Sequence, residues 1–344
     1  FRLTPQSTAR RYHSGMTTES TQDTYDPVLP DVAMHLVPPM KPVVGRVTES
    51  RSCMNGKSAS FVRHVSIDVS GTALEGAFRS GQSFGVVPPG VDHNDKPHKV
   101  RLYSIASPTR GEDGEGKVLA TTCKRLIDEY WPQTPKDDQT RHDLFTGVCS
   151  NHLCDLKVGD EVHVTGPVGK RFILPAEPAR HDYLFLATGT GIAPFRGMIS
   201  DLLEGPEGPV ESEIHLVMGV PYTTDLLYHD DLKTLANKHP NFHYHTVISR
   251  EILPDGTPGG YVHHYLDRQV QLHETLLRGD RTLMYLCGLA GMQLGVFQFL
   301  ARAGLGAHYL KVKEELKGVP PEEWDAKSMK RNVRPTHRCM LEVY

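Results

Sequence analysis

The pattern of apolar residues changes its period once along this chain, close to Pro175, and that change restricts the fold more than any composition figure. Before it, β-branched or alternating runs at 43–48, 62–69, 83–87, 100–104, 118–123 and 161–165 are separated by turn clusters such as Pro88-Pro89-Gly90 and Gly111-Glu112-Asp113-Gly114. Short strands at that spacing predict an antiparallel β-barrel, interrupted by one helix around 147–153. After it, strand runs at 183–187, 214–219, 242–249 and 282–287 alternate with helical patterns at 195–203, 226–238, 261–277 and 291–303. Strands alternating with helices predict an α/β, doubly wound parallel sheet. The expected organisation is an extension over 1–40, a barrel domain over 41–177 and an α/β domain over 178–344, and 344 residues suffice for two cores.

Charge and cysteine usage narrow the function classes. A formal net charge of −3, from 38 basic and 41 acidic residues, argues against general nucleic-acid binding but leaves room for a local basic patch facing an acidic partner. The six cysteines (Cys53, Cys123, Cys149, Cys154, Cys287, Cys339) contain no CxxC pair, so free thiols in a reducing compartment are expected. No apolar run approaches the length of about 18 residues that a membrane span needs. Residues 1–18 carry Arg2, Arg10 and Arg11 and no acid, in the manner of an organelle transit segment or a stretch ahead of a start at Met16.

Two stretches carry chemistry. On a strand over 100–104, Arg101 and Tyr103 point to one face and Leu102 and Ser104 to the other, so a guanidinium fork and an aromatic face lie side by side. That pair suits a nucleotide bearing a fused heterocycle, such as a flavin. In the second half, Thr188-Gly189-Thr190-Gly191-Ile192-Ala193-Pro194 lies between a strand and a helix start, where backbone N–H groups favour a phosphate.

Nine signatures follow one another in order: Gly81-Gln82-Ser83, Arg101-Leu102-Tyr103-Ser104, Gly147-Val148-Cys149-Ser150-Asn151, Gly166-Pro167-Val168-Gly169, the 188–194 turn, Gly219-Val220-Pro221, Ser249-Arg250, Cys287-Gly288-Leu289 and the terminal Glu342-Val343-Tyr344. In this the chain resembles the plant-type, plastidic-class ferredoxin–NADP(+) reductases over about 41–344. The resemblance implies a soluble oxidoreductase with FAD on the barrel and NADP(H) on the α/β domain, moving a hydride between them and exchanging single electrons with ferredoxin or flavodoxin. It implies a monomer in a bacterial cytoplasm or plastid stroma.

The resemblance also implies residue roles. Arg101 binds the FAD pyrophosphate, Tyr103 lies against one face of the flavin ring, and Leu102, Thr122, Cys123, Lys124, Gly147, Val148, Cys149 and Ser150 complete the FAD contacts. Ser104, Cys287 and Glu342 surround the reacting atoms. Tyr344 covers the other flavin face as a gate that the nicotinamide displaces. Thr190 and Gly191 meet the NADP pyrophosphate, with Val220, Pro221, Gly288 and Leu289 lining the cleft. Ser249 and Arg250 take the 2′-phosphate, which favours NADP over NAD, and Tyr261 stacks on its adenine.

Departures from the family pattern carry expectations of their own. Gly259 stands where the family has Lys or Arg, so one charge for the 2′-phosphate is missing. Asp128 stands where an aromatic stacks on the FAD adenine, and Tyr130 or Trp131 is the expected substitute. Segments 129–145 and 318–337 are longer than in plant members. The basic side chains offered to an acidic carrier are Lys41, Arg46, Lys96, Lys99, Lys124, Lys311, Lys313 and Lys317. His243 and His245, two apart on a strand, form half a metal site with no third ligand at a telling spacing, so no metal is expected. His263 and His264 are expected to point apart. A reductase that feeds an oxygenase through a separate carrier, and a flavin-binding module without turnover, are the competing readings.

Overall fold

The computed structural model describes residues 25–130, 132, 134–253 and 256–344, so the expectations for residues 1–18 and Trp131 lie outside the described residues. The first lobe contains β1 (Val43–Ser52), β2 (Val62–Asp68), β3 (Ser83–Val87), β4 (Arg101–Ser104) and β5 (Val118–Lys124). After these come a short hairpin of β6 (Ile127–Glu129) and β7 (Leu144–Thr146), helix α1 (Val148–Asp155) and β8 (Glu161–Val168). Six of the strands form one antiparallel sheet in the order β4-β3-β8-β1-β2-β5. A bridge from Ile105 to Thr121 brings the two edge strands together and closes the sheet towards a barrel. Alternation decides which side chains fill it: Val162 and Val164 of β8 are buried while Glu161 and His163 face out. Val65, Ile67, Phe84, Val86 and Leu119 complete this core.

The second lobe runs β9 (Asp182–Thr188), α2 (Ile192–Glu204), β10 (Ile214–Val220), α3 (His229–Lys238), β11 (Phe242–Ile248), α4 (Val262–Arg268), α5 (Val270–Leu272), β12 (Thr282–Gly288), α6 (Ala290–Arg302), α7 (Gly306–Tyr309), β13 (Leu310–Val312), α8 (Ala326–Asn332), β14 (Val333–Pro335) and β15 (Cys339–Val343). Its five-stranded parallel sheet has the order β11-β10-β9-β12-β15. The central β9 is apolar and buried from Tyr183 to Ala187 because both faces are covered there. Tyr183, Phe185 and Ala187 pack towards α2, and Leu184 and Leu186 pack towards α6. The helix expected over 261–277 is instead three pieces, α4, α5 and a π turn over 273–277. The long segment after 310 folds into the β13–β14 hairpin and α8, with Trp324 buried against α6. Among the described residues no helix is long and apolar enough to cross a membrane.

The lobes share one packed junction. Cys53, Val62 and Phe172 of the first lobe belong to the same apolar cluster as Phe195 and Met198 of α2. Around it runs a buried polar network. Arg196 donates to the Ala106 carbonyl at 3.0 Å and to Glu112 at 2.5 Å, and its guanidinium lies 5.3 Å from the centre of the Tyr228 ring. The Tyr228 hydroxyl meets Thr122 Oγ1 at 2.5 Å and His64 Nδ1 at 3.0 Å. Burial, aided by the neighbouring Arg196 charge, pushes His64 down to about 2, so this imidazole is neutral at any ordinary pH. Asp201 of α2 accepts from the Ser80 hydroxyl at 2.7 Å and from Thr109 N–H at 3.0 Å, a further tie across the junction.

Candidate active site

The site is built where the edge of the barrel meets the carboxyl end of the parallel sheet. Strand β3 pairs with β4 so that Ser83 lies directly opposite Ser104. Side chains of such a pair share a face. On the other lobe β12 and β15 run in parallel register with Cys287 beside Glu342. The Ser83 hydroxyl donates to Glu342 Oε1 at 3.1 Å, so the two pairs meet across the lobes. Burial raises the Glu342 carboxyl above its ordinary range, and the hydroxyls of Ser83 and Ser104 offset part of that. Its second oxygen, Oε2, is buried with no hydrogen-bond partner among the described residues. Cys287 is buried, and its thiol is held far from ionisation by burial and by the Glu342 charge.

Above this group lies the chain end. Tyr344 N–H donates to the Gly288 carbonyl at 3.0 Å, its own carbonyl accepts from Ala290 N–H at 3.1 Å, and the residue as a whole is 62% exposed. The Tyr344 hydroxyl is 2.6 Å from Thr190 Oγ1. Thr190 lies in the single 3-10 turn Gly189–Gly191, which leads into α2 without a side-chain cap. Gly191 is required there by proximity: a Cβ would sit 2.0 Å from the Cys287 carbonyl oxygen. Thr188 Oγ1 accepts from Leu289 N–H at 2.8 Å, tying together the turns that follow β9 and β12.

Comparison with known proteins finds relatives of one kind. Residues 185–297 match the family model of the oxidoreductase NAD-binding domain. The chain is 36% identical over 318 residues to a ferredoxin–NADP reductase of Picosynechococcus sp., covering 91% of this chain and 72% of that protein. It is 34% identical to the chloroplastic leaf isozyme 1 of Arabidopsis thaliana, covering 83% of this chain and 77% of that one. The chain belongs to the ferredoxin–NADP reductase family. The fold agrees as well: a solved ferredoxin–NADP+ reductase of Plasmodium falciparum superposes with a TM-score of 0.63 at 21% identity, covering 90% of this chain and 99% of that one.

On the barrel side of the reductase, Arg101 is exposed and Tyr103 half-buried, with the Tyr103 hydroxyl turned towards Cys149 and Cys123. Helix α1 begins at Gly147 with no side-chain cap, leaving the backbone N–H groups of Val148, Cys149 and Ser150 open at its start. Its position is set by β5 and the residues that follow. Arg125 donates to Asn151 at 2.7 Å and to Asp155 at 2.5 Å, and Gly147 N–H donates to the Leu126 carbonyl at 2.9 Å. The thiols of Cys123 and Cys149 are buried, so they offer backbone only, while Lys124 and Leu102 are exposed. Thr122 is taken elsewhere, because its hydroxyl points to the junction and meets Tyr228.

The orphaned Glu342 oxygen, the uncapped start of α1 and the exposed Leu126, Phe145 and Val148 beside it together fit a large ligand with an anionic middle and aromatic ends, as FAD is. Sequence reading did not single out Phe145. It lies directly opposite Asp128 in the β6–β7 hairpin and is 47% exposed, so the hairpin offers an aromatic ring on the face of Asp128. Tyr130, by contrast, is covered by the Arg141 guanidinium at 4.2 Å. Ser83 was visible only as part of Gly81-Gln82-Ser83; its role depends on the β3–β4 register.

On the nucleotide side, Ser249 N–H donates to the Val220 carbonyl and Arg250 N–H to the Pro221 carbonyl, at 3.0 and 2.9 Å, which aligns the ends of β10 and β11. Arg250 is exposed there, whereas the Val220 side chain is withdrawn into the core, leaving Pro221 at the surface. Gly288 and Leu289 close the other side, with Leu289 exposed. The backbone at Gly259 leaves no room for a side chain: a Cβ there would lie 2.7 Å from the Ile248 carbonyl and 2.9 Å from that of Glu251. Tyr261 is 60% exposed and caps α4. His263 and His264 do not point apart. Their ring centres are 4.2 Å from each other and within 6 Å of Tyr261, because both lie in the first turn of a helix.

Proposed function

We propose that the barrel lobe of this ferredoxin–NADP reductase carries FAD, that NADP(H) lies across the carboxyl ends of β9, β10 and β12, and that a hydride passes between the two beside Ser104, Cys287 and Glu342. FAD, when bound, supplies a ring that takes up a hydride and releases electrons singly to a one-electron carrier. The residues do the rest. The observation that carries this reading is the convergence of Ser83, Ser104, Cys287 and Glu342 beneath a displaceable terminal ring.

Cys287 and Gly288 at the end of β12 give the nicotinamide a narrow, water-poor seat, and Tyr344 holds that seat until the nucleotide takes it. Glu342 and the two serine hydroxyls form a proton path to a ligand atom at the orphaned Oε2. Arg101 and the open amides of α1 hold the FAD pyrophosphate. Phe145 takes the adenine in place of the residue missing at 128. Ser249 and Arg250 hold the 2′-phosphate, with the loss at Gly259 narrowing the preference for NADP over NAD.

Ferredoxin is the electron carrier, as the names of the relatives support, with flavodoxin as its alternative. Lys96, Lys99, Lys41 and Lys124 on the barrel lobe offer it a basic face. Arg46 is drawn to the Gly159 carbonyl and Glu161, and Lys311, Lys313 and Lys317 belong to the far hairpin region of the other lobe. The chloroplastic and cyanobacterial relatives support a plastid stroma or bacterial cytoplasm, and the chain works as a monomer. Stopped-flow mixing of the FAD-loaded protein with NADPH and with NADH tests the reading. Rapid bleaching of the flavin by NADPH, with a slower NADH reaction, is expected; an unbleached flavin would refute it.

A further inference from the structure

We propose that Glu213, His215 and His243 form a binding site for a divalent transition metal of the Zn2+ class at the amino ends of β10 and β11. His215 and His243 are directly paired across the two parallel strands. Their rings are stacked with centres 4.4 Å apart. Glu213, just before β10, accepts a hydrogen bond from His243 Nε2 at 3.0 Å, and His215 Nε2 is 3.8 Å from the same carboxylate oxygen. One ligand atom from each of the three residues lies within 4.8 Å of the others. Ligand atoms around a tetrahedral Zn2+ are about 3.3 Å apart, given bonds of about 2.0 Å. The required contraction is within reach of side-chain rotation, since Glu213 is exposed and His243 only half-buried.

Two imidazoles and one carboxylate are the donor set of borderline metals, and oxygen-seeking Mg2+ and Ca2+ would not choose it. Sequence spacing paired His243 with His245 as half a site. Both rings do lie on one face of β11, but the missing ligands come from β10, about thirty positions earlier in sequence, which spacing along one strand cannot reveal. His245 stands in reserve, its ring centre 5.7 Å from that of His215. The site is remote from hydride transfer: His215 precedes Val220 by five residues of strand, about 16 Å. A metal here clips the edge strand β11 to β10 and stabilises the sheet without entering the reaction.

Isothermal titration of the full FAD-loaded, chelator-treated and tag-free protein with ZnCl2 at neutral pH is the test, paired with Co2+ titration followed by ligand-field absorption. We expect one saturable site, a nitrogen-and-oxygen Co2+ spectrum, and a Tm raised by a few degrees in Zn2+. His243→Ala, at a half-buried position, should weaken binding at least tenfold and abolish the Tm rise. Substitution of the distant His308 should do neither. No saturable binding below about 1 mM, or equal binding by wild type and His243→Ala, overturns the proposal.

Discussion

The hydroxyl of Tyr344 lies 2.6 Å from that of Thr190, so this side chain is latched to the turn that opens α2. In the function proposed above, a nucleotide that brings its nicotinamide to Cys287 breaks this latch. Replacing Tyr344 by Ser removes both the hydrogen bond and the ring, worth together roughly 1 to 2 kcal/mol. NADP+ should then bind about tenfold tighter in equilibrium titration, while turnover with NADPH falls because product is held. Thr190→Val, which removes the hydrogen bond alone, should show a smaller gain, and unchanged affinity in both variants would dismiss the latch.

Glu342 should leave a pH signature. Its carboxyl is raised above the ordinary 4.5 by burial, so the folded state holds a proton that the unfolded chain releases. That contribution to stability is complete below about pH 4.5 and is lost as pH rises through the raised value. Thermal melts of wild type and Glu342→Gln across this window should diverge with rising pH, the variant being the more stable at neutral pH. Parallel curves would show that the carboxyl is not strained by its burial.

The pairing of Glu112 with Arg196 anchors the lobes. Glu112→Gln leaves the guanidinium without its counter-charge over Tyr228 and should cost about 2 to 3 kcal/mol in urea unfolding. The double variant Glu112→Gln/Arg196→Met should recover part of that loss. Wild-type stability in the single variant would mean that the pair is solvent-screened.

Phe145 should matter to cofactor retention. Loss of an aromatic stack on adenine is worth about 1 to 2 kcal/mol, so Phe145→Ala should raise the Kd for FAD roughly tenfold by fluorescence release. Introducing Asp128→Tyr in that background should restore it. If FAD holds equally well without Phe145, the adenine is gripped elsewhere.

Gly191→Ala places a methyl group 2.0 Å from the Cys287 carbonyl, a contact that only backbone movement relieves. A loss of about 1 to 3 kcal/mol is expected, together with weaker NADP+ binding as the turn moves. A fully stable, fully binding variant would show that the turn yields freely.

How much of this was legible in the chain follows from the range of the forces involved. The strands at 43–48, 83–87 and 183–187, and the helix opening after Gly147, are set by local periodicity and turn chemistry, and each was readable because residues two or four positions apart decide it. The Thr190 turn stood out in the same way, whereas Glu342-Val343-Tyr344 stood out only through its resemblance to the family's signature. The meeting of Ser83 with Glu342, 259 positions apart, was not readable, since it depends on the β3–β4 register and on how the lobes dock. Nor was the placing of Phe145 opposite Asp128, the turning of Thr122 towards Tyr228, or the assembly of Glu213 and His215 with His243. Sequence alone determined the two kinds of lobe and the motifs proposed to bear the chemistry, because backbone preference and burial period act over a few residues. Only the tertiary structure decided which of those residues face one another, because strand register and lobe packing are settled by side chains far apart in the chain.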